Sequence, residues 1–325
     1  MKIKSEKTFL PPIPLQRNNR WEKIIDKNSE RILFITRKLY DNNLISDKLF
    51  LALMYRCRIG RWINWKKPRY FTEKLQILKL YNRKDEYTKM VDKVKAKEIV
   101  AEKVGEEYVV PNYGIWDSPE KIDFDALPDT FVLKCNHYTG DTYIHSSPAT
   151  PIDKEKIIRF LNSNFKKNLF KNNGEWPYKN VERKVFAEKY LDDLSKEVMP
   201  DYKILCFNGH PKFIQVFSWP EHYAHDLNRE SKDYNVYYDL NWNKQEFMIG
   251  YPYDNEIDFP KPENLDKMIE IAEKLSEGIP FVKIDLYNLK GEIKVGEMTF
   301  FPYGGFGFVL PNEEWDLKLG ELLQL

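Results

Sequence analysis

Four polar residues near the C-terminal end of the chain stand in a pattern that suits a divalent cation. In Phe281-Val-Lys-Ile-Asp-Leu-Tyr287 the apolar Val282, Ile284 and Leu286 alternate with Lys283 and Asp285, the period of a half-buried strand. Glu292–Thr299 reads as the return strand of a hairpin, with Glu297 and Thr299 on one face. The turn decides whether the two pairs point the same way. A loop of 288–291, with Tyr287 opposite Glu292, sets Asp285 against Lys294 and leaves Glu297 on the wrong side. A three-residue loop 288–290, or a bulge at Gly291, gathers Lys283, Asp285, Glu297 and Thr299 into one patch. Two carboxylates and a hydroxyl on rigid strands suit Mg²⁺, which takes few protein oxygens and shares the rest with water and phosphate. On spacing alone, a charged hairpin facing solvent is the stronger reading.

Two further segments suggest anion chemistry. Phe131-Val-Leu-Lys134 is an apolar strand that delivers a lysine into the turn-rich run Cys-Asn-His137-Tyr-Thr-Gly140. A strand-end lysine holds phosphate as a point charge, and loop N–H groups cradle its oxygens. Phe186-Ala-Glu188-Lys189-Tyr-Leu191 is a strand entering a loop, a backbone edge suited to adenine. Each is commonplace alone. His222 and His225, beside Glu221 and Asp226, have an HxxH spacing without the helical HExxH context, so a zinc site is not expected there. A loop near an acceptor site fits them better. Tyr303–Gly307 reads as a flexible loop after the metal strand. No GxSxG elbow or GxxxxGK[ST] loop is present.

These segments need scaffolds. Residues 1–20, rich in proline and asparagine, read as an extended arm, and 21–91 as a mainly helical, basic region. Residues 92–184 read as a first lobe with a helix at Lys93–Val104, strands at Tyr108–Val110 and Phe131–Asn136, and a helix near 153–166. Residues 185–325 read as a strand-rich second lobe, with a hairpin at Asn208-Gly209, a helix over 263–277 and a last helix capped by Asn312. Strands joined as hairpins and mixed with helices indicate an α+β fold.

Composition narrows the class. The chain has 325 residues, 42% hydrophobic and 31% charged, with a net charge of +1. No stretch approaches the ~18–20 apolar residues of a membrane span. Three scattered cysteines without CxxC argue against a disulfide framework, and with no signal-peptide pattern a cytoplasmic setting is expected. The balance hides an asymmetry: residues 1–100 carry a net +14 and residues 101–325 a net −13. A basic end suits an anionic partner or the surface of its own acidic half. Trp62, Trp65, Tyr70 and Phe71 interleave with Arg61, Lys66, Lys67 and Arg69, although a helix corner packed in the core explains them better. No nucleic-acid-binding motif occurs.

Taken in order, Asp92-Lys93, the Lys134 strand with its glycine loop, Glu188-Lys189 and the Asp285/Glu297 hairpin resemble the ATP-grasp fold of carboxylate–amine ligases. The wider text is similar to the teichuronopeptide-biosynthesis-type (TupA-like) ATP-grasp family. The carrying segments are 80–93, 114–137, 175–191, 201–216, 281–300 and 313–323, and the likeness covers about 40–325. The resemblance implies two α+β lobes clasping ATP and Mg²⁺. It implies that Lys93 and Lys134, with His137 and Gly140 of the phosphate loop, contact the triphosphate. Glu188, Lys189 and Leu191 would contact adenine and Asp201 the ribose, with Asp285, Glu297 and Thr299 at the metal. Lys283 and Lys203 would serve the reacting phosphate or substrate. The sequence departs from the pattern at Thr299, where Asn is usual, at Lys283, where Arg is usual, and in a phosphate loop with one glycine and Asp141. The implied function is ADP-forming ligation in surface-polysaccharide assembly, joining an amino acid or amine to a sugar carboxylate through an acyl-phosphate. The basic first hundred residues would hold an anionic glycan or lipid-linked sugar precursor at the inner face of the membrane. Two alternatives are a glycosyltransferase using Asp239-Leu-Asn241 or Asp254-Asn255, and an inactive glycan-binding protein.

Overall fold

The computed structural model describes residues 20–138, 142–191, 200–218, 234–250 and 257–325. Gly140, His222, His225 and Asp254-Asn255 therefore lie outside the described residues.

The chain opens with α1 (Arg20–Asp41), α2 (Asp47–Ile59), α3 (Phe71–Tyr81), α4 (Asp85–Val91) and α5 (Lys95–Lys103). Caps cut the helical pattern into pieces. Ser46 accepts the Leu49 N–H to start α2, and Gly60 ends it with a left-handed φ of 89°. The Glu73 carboxylate, buried in α3, accepts the N–H groups of Asn64, Arg69 and Tyr70 and so folds the segment before the helix. α1 and α2 close a small core of Tyr40, Phe50, Met54 and Tyr55 that also receives Phe170 and Phe306. Phe71, Leu75, Leu78 and Tyr87 belong instead to the main core. The expected helical unit ending at residue 91 is therefore divided between two cores. In the basic–aromatic corner Trp62 is exposed, and Trp65 packs on the small core under Lys48.

Next come β1 (Asn112–Trp116), β2 (Phe131–Cys135), β3 (Tyr143–His145), α6 (Lys154–Phe165), α7 (Leu169–Asn173) and β4 (Val185–Glu188). They form an antiparallel sheet in the order β1-β4-β2-β3. Two expectations need correction. Tyr108–Val110 is not a strand; the chain makes a short 3-10 turn at Glu106–Tyr108, and pairing begins only after Pro111, which has no N–H for a ladder. β4, expected at the start of the second lobe, is central in this first sheet, with all four residues buried.

The rest is β5 (Pro200–Phe207), β6 (His210–Ser218), β7 (Tyr234–Asp239), β8 (Lys244–Gln245), β9 (Met248–Ile249), α8 (Leu265–Ser276), β10 (Phe281–Leu289), β11 (Glu292–Thr299), β12 (Val309–Leu310) and α9 (Glu313–Leu322). The second sheet runs β11-β10-β5-β6-β7-β8, and β9 pairs with β12. Strand alternation gives this sheet two unlike faces. Ile204, Ile214, Val216, Val282, Ile284 and Leu286 are all buried, as are Leu265, Met268, Ile271 and Leu275 on the apolar stripe of α8, which packs on β5, β6 and β10. At ~1.5–3 kcal/mol per buried side chain, this contact fixes which face is apolar and hence which is left for chemistry. α9 ties the C-terminus to α3. Asp316 accepts the Thr72 N–H at 3.0 Å and pairs with Arg61, while Gly320 passes so close that a Cβ would sit 2.0 Å from the Arg69 carbonyl oxygen.

Among the described residues no helix is long and apolar enough to cross a membrane.

Candidate functional site

The site begins with the β10–β11 hairpin. Its turn is tighter than expected: Leu289 pairs with Glu292, leaving Lys290 and Gly291 as a two-residue loop with φ of 51° and 89°. That register alone would set Asp285 opposite Gly296 and turn Glu297 away. A bulge at Gly296 shifts the ladder by one, so that Asp285 pairs with Glu297 and Lys283 with Thr299. The bulge is five residues from the turn, not at Gly291. Gly296 suits it because a Cβ there would lie 2.9 Å from the Tyr287 ring. Gly296→Val should therefore either displace Tyr287 or undo the bulge. We expect a folded protein by circular dichroism in which any activity of this site falls on the order of a hundredfold, the scale of a 1 Å misplacement in a reacting site. Turnover near the parent value would contradict the role given to the bulge.

The register extends the polar stripe across the sheet, because Asp285 also faces Lys203 on β5. Lys203 Nζ lies 2.6 Å from Asp285 Oδ2 and 3.8 Å from Asp201, and Lys283 Nζ lies 3.7 Å from Asp285 Oδ1. Burial alone would raise the Asp285 pKa, but Lys203 and Lys283 outweigh it and hold the carboxyl below its usual range. Lys203 is held above its usual range, since Asp285 and Asp201 overcome its burial. Lys283 moves the other way: burial lowers it, and Asp285 offsets only part of that.

The turn between α4 and α5 and the first sheet supply further cations. Lys93 Nζ lies 2.7 Å from Glu297 Oε1. Its backbone is fixed by Asn136, whose carbonyl accepts the Lys93 N–H and whose side chain donates to Asp92 at 2.9 Å and to the Glu182 carbonyl at 2.8 Å. Asp92 in turn accepts the Val94 and Lys95 N–H groups at the start of α5. Lys134, on β2, is paired with Glu188 of β4, which also binds Lys97 at 2.7 Å. Burial would raise the Glu188 pKa, yet Lys134 and Lys97 bring it down to about 2. An unfolded glutamate titrates near 4.5, so this stabilisation is present in full above that pH and is lost as pH falls towards 2. At ~1.4 kcal/mol per pH unit it amounts to a few kcal/mol. The stability gap between the parent and Glu188→Gln, read from urea midpoints, should shrink over that window; a gap independent of pH would contradict the pairing.

The remaining expected residues are dispersed. His137 is buried edge-on against Phe165, and burial followed by Arg183 pushes its pKa to about 4, so the ring is neutral. The Lys189 N–H donates to the Pro111 carbonyl at 3.0 Å, leaving its carbonyl and side chain for a ligand. Leu191 is half-buried where the first sheet ends. Asp239 binds its own turn through Asn241 and Asn243 rather than standing ready for a metal–sugar nucleotide. The loop at Tyr303–Gly307 is not a free flap: Tyr303, Gly304 and Gly305 all have positive φ, and Lys79 and Gln76 of α3 hold the Gly304 and Gly305 carbonyls from below.

Sequence reasoning missed several participants. Tyr287 shares the face of Lys283 and Asp285 by strict alternation, a signal that was present; Lys134 acts to lower its pKa, but burial and Asp201 push it up to about 12. Tyr178 has no such signal. Its phenol is pushed well up by burial and then by the charges of Glu297, Glu175 and Asp285.

Two atoms bear on a metal and its counter-anion. Asp285 Oδ1 is buried and accepts no hydrogen bond among the described residues, and Lys93 Nζ, though beside Glu297, is not aligned to donate to any described acceptor. A carboxylate oxygen wanting a cation and an ammonium wanting an anion fit a divalent ion carrying phosphate. Among the described residues no three His, Cys, Asp or Glu side chains gather as a ligand set. Asp285 and Glu297 thus suit Mg²⁺, which binds through one or two carboxylates plus phosphate and water, better than zinc.

Comparison with known proteins bears on this arrangement. A family model described as TupA-like ATP-grasp matches residues 73–324. No curated protein matches. Among solved structures the chain is similar to a D-alanine–D-alanine ligase from Helicobacter pylori, at 12% identity over 78% of this chain and 69% of that one, with a TM-score of 0.44. It is also similar to a D-alanine–D-alanine ligase from Bacillus anthracis complexed with ATP, at 15% identity over 65% of this chain and 53% of that one, with a TM-score of 0.36. The chain thus spans about half the length of the latter. Likeness at this level does not specify a substrate.

Proposed function

The chain belongs to the TupA-like ATP-grasp family, and from that premise we propose that it is an ADP-forming carboxylate–amine ligase that uses Mg·ATP. The observation that carries this reading is that Lys93, from the turn between α4 and α5, stands 2.7 Å from Glu297, which pairs with Asp285 across the hairpin, while Lys134 of β2 is held by Glu188 and feels the charge of Glu297. Bound Mg·ATP would supply the phosphoryl group that converts a carboxylate to an acyl-phosphate with release of ADP, and an amine would then attack the acyl carbon, expelling phosphate and leaving an amide. Asp285 and Glu297 would hold the metal. Lys93 and Lys134 would offset triphosphate charge, and Lys203 and Lys283 would offset charge on the transferred phosphoryl oxygens. Glu188 keeps Lys134 protonated and in place, and Lys97 keeps Glu188 ionised. The protein's work is charge neutralisation and alignment rather than covalent catalysis.

The carboxylate partner in this reading is a uronic-acid-type sugar of an anionic, lipid-linked surface polysaccharide precursor, and the amine is an amino acid. The net +14 of residues 1–100 supports an anionic acceptor and peripheral attachment at a membrane face. The test is Mg-dependent ADP release from the full chain with a uronic-acid glycan and mixed amino acids. Release that requires both co-substrates is expected. ADP formation with neither, or none with any acceptor, would count against the ligase reading.

A further inference from the structure

The lysines and carboxylates of this site neutralise one another. Lys93 stands 2.7 Å from Glu297, Lys203 2.6 Å from Asp285, and Lys134 is paired with Glu188. A divalent cation arriving alone would meet two carboxylates already offset by ammonium groups. A nucleotide arriving alone would meet lysines already offset by carboxylates. Three of the side chains at the centre, those of Lys93, Lys203 and Asp285, are 16% exposed or less, so these contacts act in a medium where water screens them poorly.

The pairs are not equally secure. Lys203 makes a short, aligned hydrogen bond to Asp285 Oδ2. Lys93 does not: its Nζ is buried beside Glu297 Oε1 without the alignment of a hydrogen bond, although its backbone is fixed by Asn136. It blocks Glu297 electrostatically while remaining a ready partner for an incoming anion. The opposite orphan, Asp285 Oδ1, is on the paired residue across the hairpin. One lysine that must leave and one carboxylate oxygen that must be filled define a single exchange. Phosphate would draw Lys93 from Glu297, freeing Glu297 to hold a cation with Asp285.

We infer that Lys93 is a latch that bars divalent cations from Glu297 until phosphate draws it away, so that the site admits the cation–nucleotide complex and neither component alone. This rests on the nucleotide reading of the site. It requires one substitution to act in opposite senses on two ligands. Removing the Lys93 charge should strengthen binding of the bare cation and weaken binding of the complex.

The experiment is equilibrium titration of the full chain with Mn²⁺ alone, with AMP-PNP in EDTA, and with Mn²⁺ plus AMP-PNP, free species being corrected for their complex in solution. Mn²⁺ is read by electron paramagnetic resonance and nucleotide by calorimetry. For the parent, each ligand should tighten the other by about ten- to a hundredfold, and by the same factor in both directions. In Lys93→Met and Lys93→Gln, bare Mn²⁺ should bind about tenfold more tightly, AMP-PNP with metal should bind more weakly, and the coupling should shrink. Lys93→Arg, which keeps the charge, should leave bare Mn²⁺ binding as in the parent. If neither folded neutral variant gains Mn²⁺ affinity, or if the parent binds AMP-PNP equally well in EDTA, the latch is overturned while the nucleotide reading stands. If the parent binds AMP-PNP under no condition, the nucleotide reading itself fails.

Discussion

Lys79→Met should lower stability by about 3–5 kcal/mol, because two buried carbonyls lose their donor at about 1–3 kcal/mol each. Lys79 is fully buried, yet its ammonium donates to Gln76 Oε1 and to the carbonyls of Asn173 and Gly304, at 3.0, 2.8 and 2.6 Å. The Phe306 ring lies 4.0 Å from the same nitrogen. Burial pulls Lys79 down and pushes the nearby Glu175 up, and each is the main charge opposing that shift in the other. Methionine fills much of the volume but leaves two carbonyls without a donor and Glu175 without its counter-charge. For a domain of this size the expected fall in Tm is about 5–8 °C. Adding Glu175→Gln should recover part of the loss, because it removes the stranded carboxylate. Differential scanning calorimetry decides it: a single variant within about 1 °C of the parent would show that the ammonium does not hold the Gly304 turn.

Asp285→Asn should reduce ADP formation by at least about a hundredfold, since even residues behind metal ligands cost 10–100-fold when removed. The carboxylate meets Lys203 at 2.6 Å, Lys283 at 3.7 Å and Glu297 across the hairpin, so its loss would remove a proposed metal ligand and leave two buried lysines without their shared counter-charge. Those lysines would repel one another, and the Lys283 pKa should fall further. Single-turnover ADP formation, with circular dichroism to confirm the fold, is the measurement. A folded variant within tenfold of the parent rate, on the order of what surface changes produce, would remove Asp285 from the reaction.

The sequence made the ingredients of this site legible but not its geometry. Alternation placed Lys283 and Asp285 on one face, and the Asn208-Gly209 turn and the Asn312 cap are where local chemistry puts them. Glu297 was different. Its orientation depends on one extra residue at Gly296, and a bulge leaves no periodic trace when the strand is short. Tyr178 and Lys79 were invisible for another reason. The charges that shift Tyr178 come from distant segments, and a lysine on an amphipathic helix reads as a solvated position until a neighbouring turn directs carbonyls at it. β4 reads from the sequence with the strands that follow it because it adjoins β5, whereas its pairing partners β1 and β2 lie about fifty to seventy residues upstream. The likeness to a family supplied what spacing left open, namely that these separate segments are read together.

The central claim is that Lys93 and Lys134 face Asp285 and Glu297 across a nucleotide. A crystal structure of the full chain soaked with Mg·AMP-PNP tests it most directly. We expect phosphate oxygens against Lys93 and Lys134 and a metal held by Asp285 and Glu297, with the Lys93–Glu297 contact of 2.7 Å opened. Nucleotide density elsewhere on the molecule, with that contact intact, would contradict the account.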